Sequence, residues 1–225
     1  MIQTAVNWQP LVLPGRREHI SLVDKFNSDK MISKNCWHLA PVDMDISERV
    51  ITEGGKSFLH TGEYKFEVFS SGNNMVLLTV GELERYSLGL QLSDKPYALS
   101  LDIGKCVNGF EFLAASEWEI RQCGAQIGCI NLHYGDGFCQ TEPIIHGRNT
   151  GSIYYPLAAE AVHVELFKYV PIMMWPPRYI DAFAVEADST RKLDFLEIRL
   201  YAADGVIGIF AVNAILPEQV FRCNK

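Results

Sequence analysis

The sequence has no apolar run near the roughly 18 residues that a membrane-spanning helix needs. Its longest apolar stretch, Val206 to Leu216, is interrupted by Gly208 and Asn213. It also lacks any CxxC pair, and its six cysteines (Cys36, Cys106, Cys123, Cys129, Cys139, Cys223) have no metal-ligand spacing. The six histidines never fall two or four apart, so neither a strand-borne nor a helix-borne zinc pair can be built locally. GxGxxG, GxSxG and HExxH are absent. Gly55-Lys56-Ser57 looks like the end of a phosphate loop, but Val50 stands where that loop's first glycine belongs. Positive charge is in short supply: 20 basic against 27 acidic residues leave a net charge of -7. No footprint for nucleic acid or an anionic membrane is expected from that balance.

The N-terminus, Met1 to Trp8, lacks the basic region and apolar run of a signal peptide, so the expected setting is cytoplasmic by default, with the cysteines as buried free thiols. A length of 225 residues fits one large domain spanning 1–225, with 1–35 expected to be an irregular segment packed on it.

What the sequence does have is alternation with a period of two, the mark of half-buried strands. In Tyr64-Lys65-Phe66-Glu67-Val68 apolar and charged residues alternate. Leu99, Leu101 and Ile103 follow Tyr97 on one side of the next such segment. Ile130, Leu132 and Tyr134 oppose Asn131 and His133, Val162, Val164 and Leu166 oppose His163 and Glu165, and Leu196, Ile198 and Leu200 oppose Glu197 and Arg199. Met75–Val80 and Val206–Val212 are continuous apolar runs, expected of strands buried on both faces. Ser71-Gly72-Asn73-Asn74, Gly135-Asp136-Gly137 and Asp204-Gly205 supply turns. No segment keeps a helical stripe for three turns. The fold class expected is all-β, an antiparallel sandwich of two sheets or a jelly roll.

Chemistry-bearing residues are few. Asp43 and Asp45 would share a strand face, and with Asp136 and Glu142 they suit a general acid/base pair, oxygen ligands for a structural Ca²⁺, or simply solvated turns and edges. Trp118, Tyr154, Tyr155 and Trp175 lie in or beside loops, where a flat ring can meet the C–H face of a sugar or cap the core. Arg148, Asn149 and Asp136 could bond the hydroxyls.

Several segments carry a resemblance: Gly62–Val68, Leu101–Ala115, Ile130–Gly137, Ile144–Ser152 and Tyr179–Glu186, in that order. Together they resemble the galactose-binding-like jelly-roll module found with bacterial glycoside hydrolases. Ala114-Ala115 and Ser152-Ile153-Tyr154 depart from that family's usual His-Ala and Asp-Trp-Trp. The resemblance implies non-catalytic binding of an oligosaccharide or polysaccharide, with no cofactor. An interaction sandwich, either a homo-oligomer or the partner of an enzyme, is the alternative, and a glycosidase or lyase using Asp43, Asp45 or Glu142 is a third reading.

Overall fold

The computed structural model describes residues 10–28, 30–33, 38–41, 50–69, 72–80, 95–117, 123–153, 155–166, 179–201 and 205–218. Over these residues the chain is built of antiparallel strands, with a single 3₁₀ turn at Val23–Lys25. The central sheet contains β1 (Arg16–Ile20), β7 (Val76–Thr79), β9 (Gly109–Glu117), β12 (Val162–Glu165), β13 (Tyr179–Glu186) and β15 (Val206–Leu216), in the order β1-β15-β9-β13-β12. β7 and β1 share one flank of β15 end to end: β7 pairs with Val206–Ile209 and β1 with Val212–Leu216. A second, four-stranded sheet runs β11-β10-β14-β8, from β8 (Ala98–Lys105), β10 (Gln126–Tyr134), β11 (Cys139–Ile145) and β14 (Leu193–Leu200). Smaller ladders are formed by β2 (Lys30–Ser33) with β3 (His38–Pro41), and by β4 (Val50–Glu53), β5 (Lys56–Thr61) and β6 (Tyr64–Val68).

Two cores result, one on each side of the central sheet. Phe110, Phe112, Phe183, Val185, Ile207 and Val212 face Leu99, Leu101, Ile130, Leu132, Leu196 and Ile198 of the four-stranded sheet. On the opposite face Leu113, Ala115, Ile180 and Phe210 pack against Leu59, Tyr64, Phe66 and Val68. The expected two-sheet sandwich therefore carries a third layer, because the chain folds β4-β5-β6 over the second face. β9 is buried at every position as a consequence. β15 keeps this double burial with a bulge: one residue is inserted between Ile209 and Ala211. Ile209 and Val212 thereby share a face that strict alternation would deny them. Gly109, at φ +153°, is needed where it stands, because a Cβ there would come within 2.2 Å of the Val185 carbonyl oxygen and 2.5 Å of Leu13.

Two expectations are corrected. Arg16–Ile20, inside the segment expected to be irregular, is a strand of the central sheet; its alternation escapes notice because Arg17 and His19 turn inward to buried polar partners. The cysteines are not uniformly buried free thiols. Cys129 is a buried free thiol, Cys123 and Cys139 are exposed and outside any disulfide, and Cys106, just past the end of β8, is disulfide-bonded. A bridge belongs with an oxidising compartment and free thiols with a reducing one; this chain carries both.

Candidate functional site

The central sheet encloses charged residues, and their partners decide what they can do. Glu111 on β9 is fully buried and is gripped by Arg17, whose Nε donates to both carboxylate oxygens at 3.0 and 2.9 Å. Asn213 Nδ2 donates to Glu111 (3.0 Å) and to the Lys65 carbonyl (2.9 Å). Both amide hydrogens are thus spent, and Asn213 Oδ1 lies 2.6 Å from His19 Nδ1. Burial first, and Glu111 second, push the Tyr64 hydroxyl up to about 12. This cluster ties β1, β9, β15 and β6 together.

A second buried cluster anchors the segment 146–153. Gly151 N–H donates to Asp181 Oδ2 at 2.6 Å, while Asp181 Oδ1 meets His163 Nδ1, also at 2.6 Å. Ser152 Oγ and the Ile153 N–H both donate to Glu117 Oε1. His146 Nδ1 lies 2.9 Å from Ser116 Oγ. Burial lowers the His146 imidazole to about 4 and raises the Asp181 carboxyl against the opposing pull of His163 and the Gly151 N–H. The Ser116–His146 contact superficially suggests an activated nucleophile. Both residues are fully buried, so no substrate reaches the hydroxyl, and the pair is a structural clamp.

That clamp positions Arg148, Asn149 and Tyr155. Arg148 Nε donates to Glu160 Oε1 at 2.6 Å. Asn149 braces the turn with both ends of its amide, accepting from the Ile145 N–H and donating to the Pro143 carbonyl, each at 2.9 Å. Tyr155 is exposed. Arg148 and Asn149 line a cleft of about 300 Å³ together with Glu142, Glu160 and Glu186. Asp136 is elsewhere. It sits in the hairpin between β10 and β11, where it accepts from the Phe138 N–H and pairs with Arg191. The seven residues of β11, at roughly 3.4 Å each, put about 20 Å between that hairpin and the Arg148 turn. Trp118, Tyr154 and Trp175 lie outside the described residues, as do Asp43 and Asp45. The structure thus brings Arg148, Asn149 and Glu142 together and leaves Asp136 apart.

A further constellation stands on the outer face of the four-stranded sheet. Cross-strand register aligns Thr141, Asn131, Glu197 and Ser100 in one row and places Cys129 beside Arg199 and His133 beside Phe195 in the flanking rows. Thr141 Oγ1 donates to Asn131 Oδ1 and Asn131 Nδ2 to Glu197 Oε2, both at 2.9 Å. Arg199 then grips Glu197 with Nη2 (2.7 Å) and Nε (3.2 Å). Arg199 first, with Asn131 assisting, holds the Glu197 carboxyl below its usual range, so it is charged near neutrality. Rings flank the row. His133 stacks on Phe195 with centroids 4.1 Å apart and planes 14° apart, and the Arg199 guanidinium lies 5.6 Å from the centre of the exposed Tyr97 ring. The outward residues of two adjacent strands, Asn131/His133 and Phe195/Glu197/Arg199, were the signal in the sequence. Alternation flagged most of them as facing away from the core, but only the register makes them neighbours.

Among the described residues no group of three or more His, Cys, Asp or Glu side chains is placed to hold a metal ion. No helix among them is long and apolar enough to cross a membrane. No protein-family model matches the chain, and no curated protein matches it. What the site can do rests on its own geometry.

Proposed function

We propose that this chain is a non-catalytic carbohydrate-binding β-sandwich of the jelly-roll type, with its saccharide site on the outer face of the four-stranded sheet. One observation carries the reading: a pre-organised row of hydroxyl, amide, carboxylate and guanidinium groups flanked by aromatic rings. Saccharides offer alternating hydroxyls to such a row and apolar C–H faces to the rings. The ion pair and the amide hold their rotamers before any ligand arrives, which lowers the ordering cost of binding. The resemblance of Leu101–Ala115 and Ile130–Gly137 to the galactose-binding-like module supports the same class, since both segments belong to the two large sheets.

A glycan-array screen of the purified protein, with titration of any hit, tests this. A saccharide hit is expected, weakened at least tenfold by Arg199→Ala or Phe195→Ala with the melting temperature little changed. It should persist in excess EDTA, because the row is held by its own ion pair rather than by Ca²⁺. A blank array, or a hit indifferent to both substitutions, rejects the site.

A further inference from the structure

β12 covers only part of the outer edge of β13. It pairs with Tyr179–Ala182 and stops at Val162, whereas β13 runs on to Glu186 with β9 as its only neighbouring strand among the described residues. The direction of the remaining backbone groups follows from two bonds on the β9 side. Tyr179 N–H donates to the Ile153 carbonyl, in the segment wedged against Ser116, and Ala187 N–H donates to the Asn108 carbonyl. Odd-numbered residues therefore bond inward, and strand alternation turns the N–H and C=O of Ala184 and Glu186 outward. Gln140 Nε2 caps the Glu186 carbonyl at 2.9 Å. Among the described residues no hydrogen bond reaches the outward groups of Ala184. That stretch forms one wall of the cleft of about 300 Å³, whose other walls include Pro143 of β11, the Arg148 turn and Leu11 of the N-terminal segment.

We propose that this edge is a strand-addition site for an extended, basic segment of a partner protein, laid collinear with β12 and antiparallel to β13. Strand addition uses main-chain hydrogen bonds for affinity and flanking pockets for side-chain selection. Natural sheets cap or charge an edge that is not meant to pair. Here the nearby charges leave a preference rather than a block. Glu142, Glu160 and Glu186 line the cleft beside a single basic residue of its lining, Arg148, which pairs with Glu160. The acidic excess of that lining favours Lys or Arg side chains at alternate positions of the incoming strand. The cleft is separate from the face proposed to bind saccharide, so the two sites can fail independently.

The test uses three capped hexapeptides and the full chain. One alternates Lys with Val, one alternates Glu with Val, and the third repeats the Lys peptide with alternate amides N-methylated. Calorimetric titration and amide exchange are read together. The Lys peptide is expected to bind, to slow exchange at Ala184 and Glu186 at least fivefold, and to lose at least tenfold in affinity when N-methylated. Ala184→Pro, which removes one outward N–H, and Glu186→Lys should each weaken it at least fivefold. No binding by the Lys peptide at millimolar concentration overturns the proposal. So does equal binding by the Glu peptide, or binding without protection at Ala184 and Glu186. The N-methylated peptide keeps the test decisive even if Ala184→Pro disturbs the fold.

Discussion

β9 and β14 are both interior strands of their sheets and nearly equal in length, yet β9 is buried at all nine positions while β14 alternates buried with half-buried or exposed ones. The difference lies in what covers the second face. β14 turns Phe195, Glu197 and Arg199 toward solvent, whereas β9 meets the four-stranded sheet on one side and β5-β6 on the other. Alternation in a sequence thus reports one wet face, and its absence reports a third layer. Charge alone does not separate the cases: Glu111 on β9 is fully buried and Glu197 on β14 faces out, each gripped by an arginine.

The sharpest way to break the comparison is paired truncation. On β9, Phe112→Ala and Leu113→Ala point to opposite faces, and both should destabilise: about 3–5 kcal/mol for the ring and about 2–5 for Leu113. On β14 the neighbours should split, with Leu196→Ala costing about 2–5 kcal/mol and Glu197→Ala under about 1. Urea unfolding of the four variants checks this; a cheap Leu113→Ala would mean that the third layer contributes little.

A smaller effect is expected at the buried charge. Glu111→Gln should cost about 3 kcal/mol, the low end for breaking a buried pair, because the Arg17 side chain keeps 29% of its surface exposed and is partly hydrated. The same substitution at Glu197 should be nearly silent in the same assay.

The finest test is pH. His146 is neutral in the folded chain down to about 4, whereas an unfolded histidine takes up its proton near 6.5. The unfolded state therefore binds more protons between those values, and stability falls as pH drops through that window, flattening below it. At 1.36 kcal/mol per unit the loss is of order 3 kcal/mol. Asp181 acts in the opposite sense: its raised carboxyl pKa favours the fold as pH falls. The difference between wild type and His146→Gln isolates the histidine. Parallel stability curves from pH 7 to 4 would mean that His146 is not buried as a neutral ring.

Much of the fold was legible in the sequence because side-chain period is a local property. β6, β8, β10 and β14 show their alternation, and the uninterrupted runs at β7 and β15 announce double burial. Tyr97 fails the pattern because it lies just before β8, where the inward side has run out of core. β9 hid its nature behind Glu111 and Glu117, whose partners are distant in sequence. The turn at Gly135-Asp136-Gly137 was readable, and Gly137 does take φ +86°. The candidate sites were far less legible. Arg148 and Asn149 share a turn, so their grouping survives, but Asn131, Glu197 and Thr141 become a row only through the pairing of three strands. The open edge of β13 depends on where β12 stops, which no residue type announces.

The end-to-end sharing of β15 by β1 and β7 also has a temporal meaning. Arg16 finds its partner at Leu216 and Thr79 finds its partner at Val206. During synthesis both early strands, and one flank of β9, must wait for β15 to leave the ribosome. Pairings over such separations are slow to form, and apolar edges left waiting invite wrong neighbours. A nascent chain halted before Val206 would hold β1, β7 and one flank of β9 without the strand that joins them.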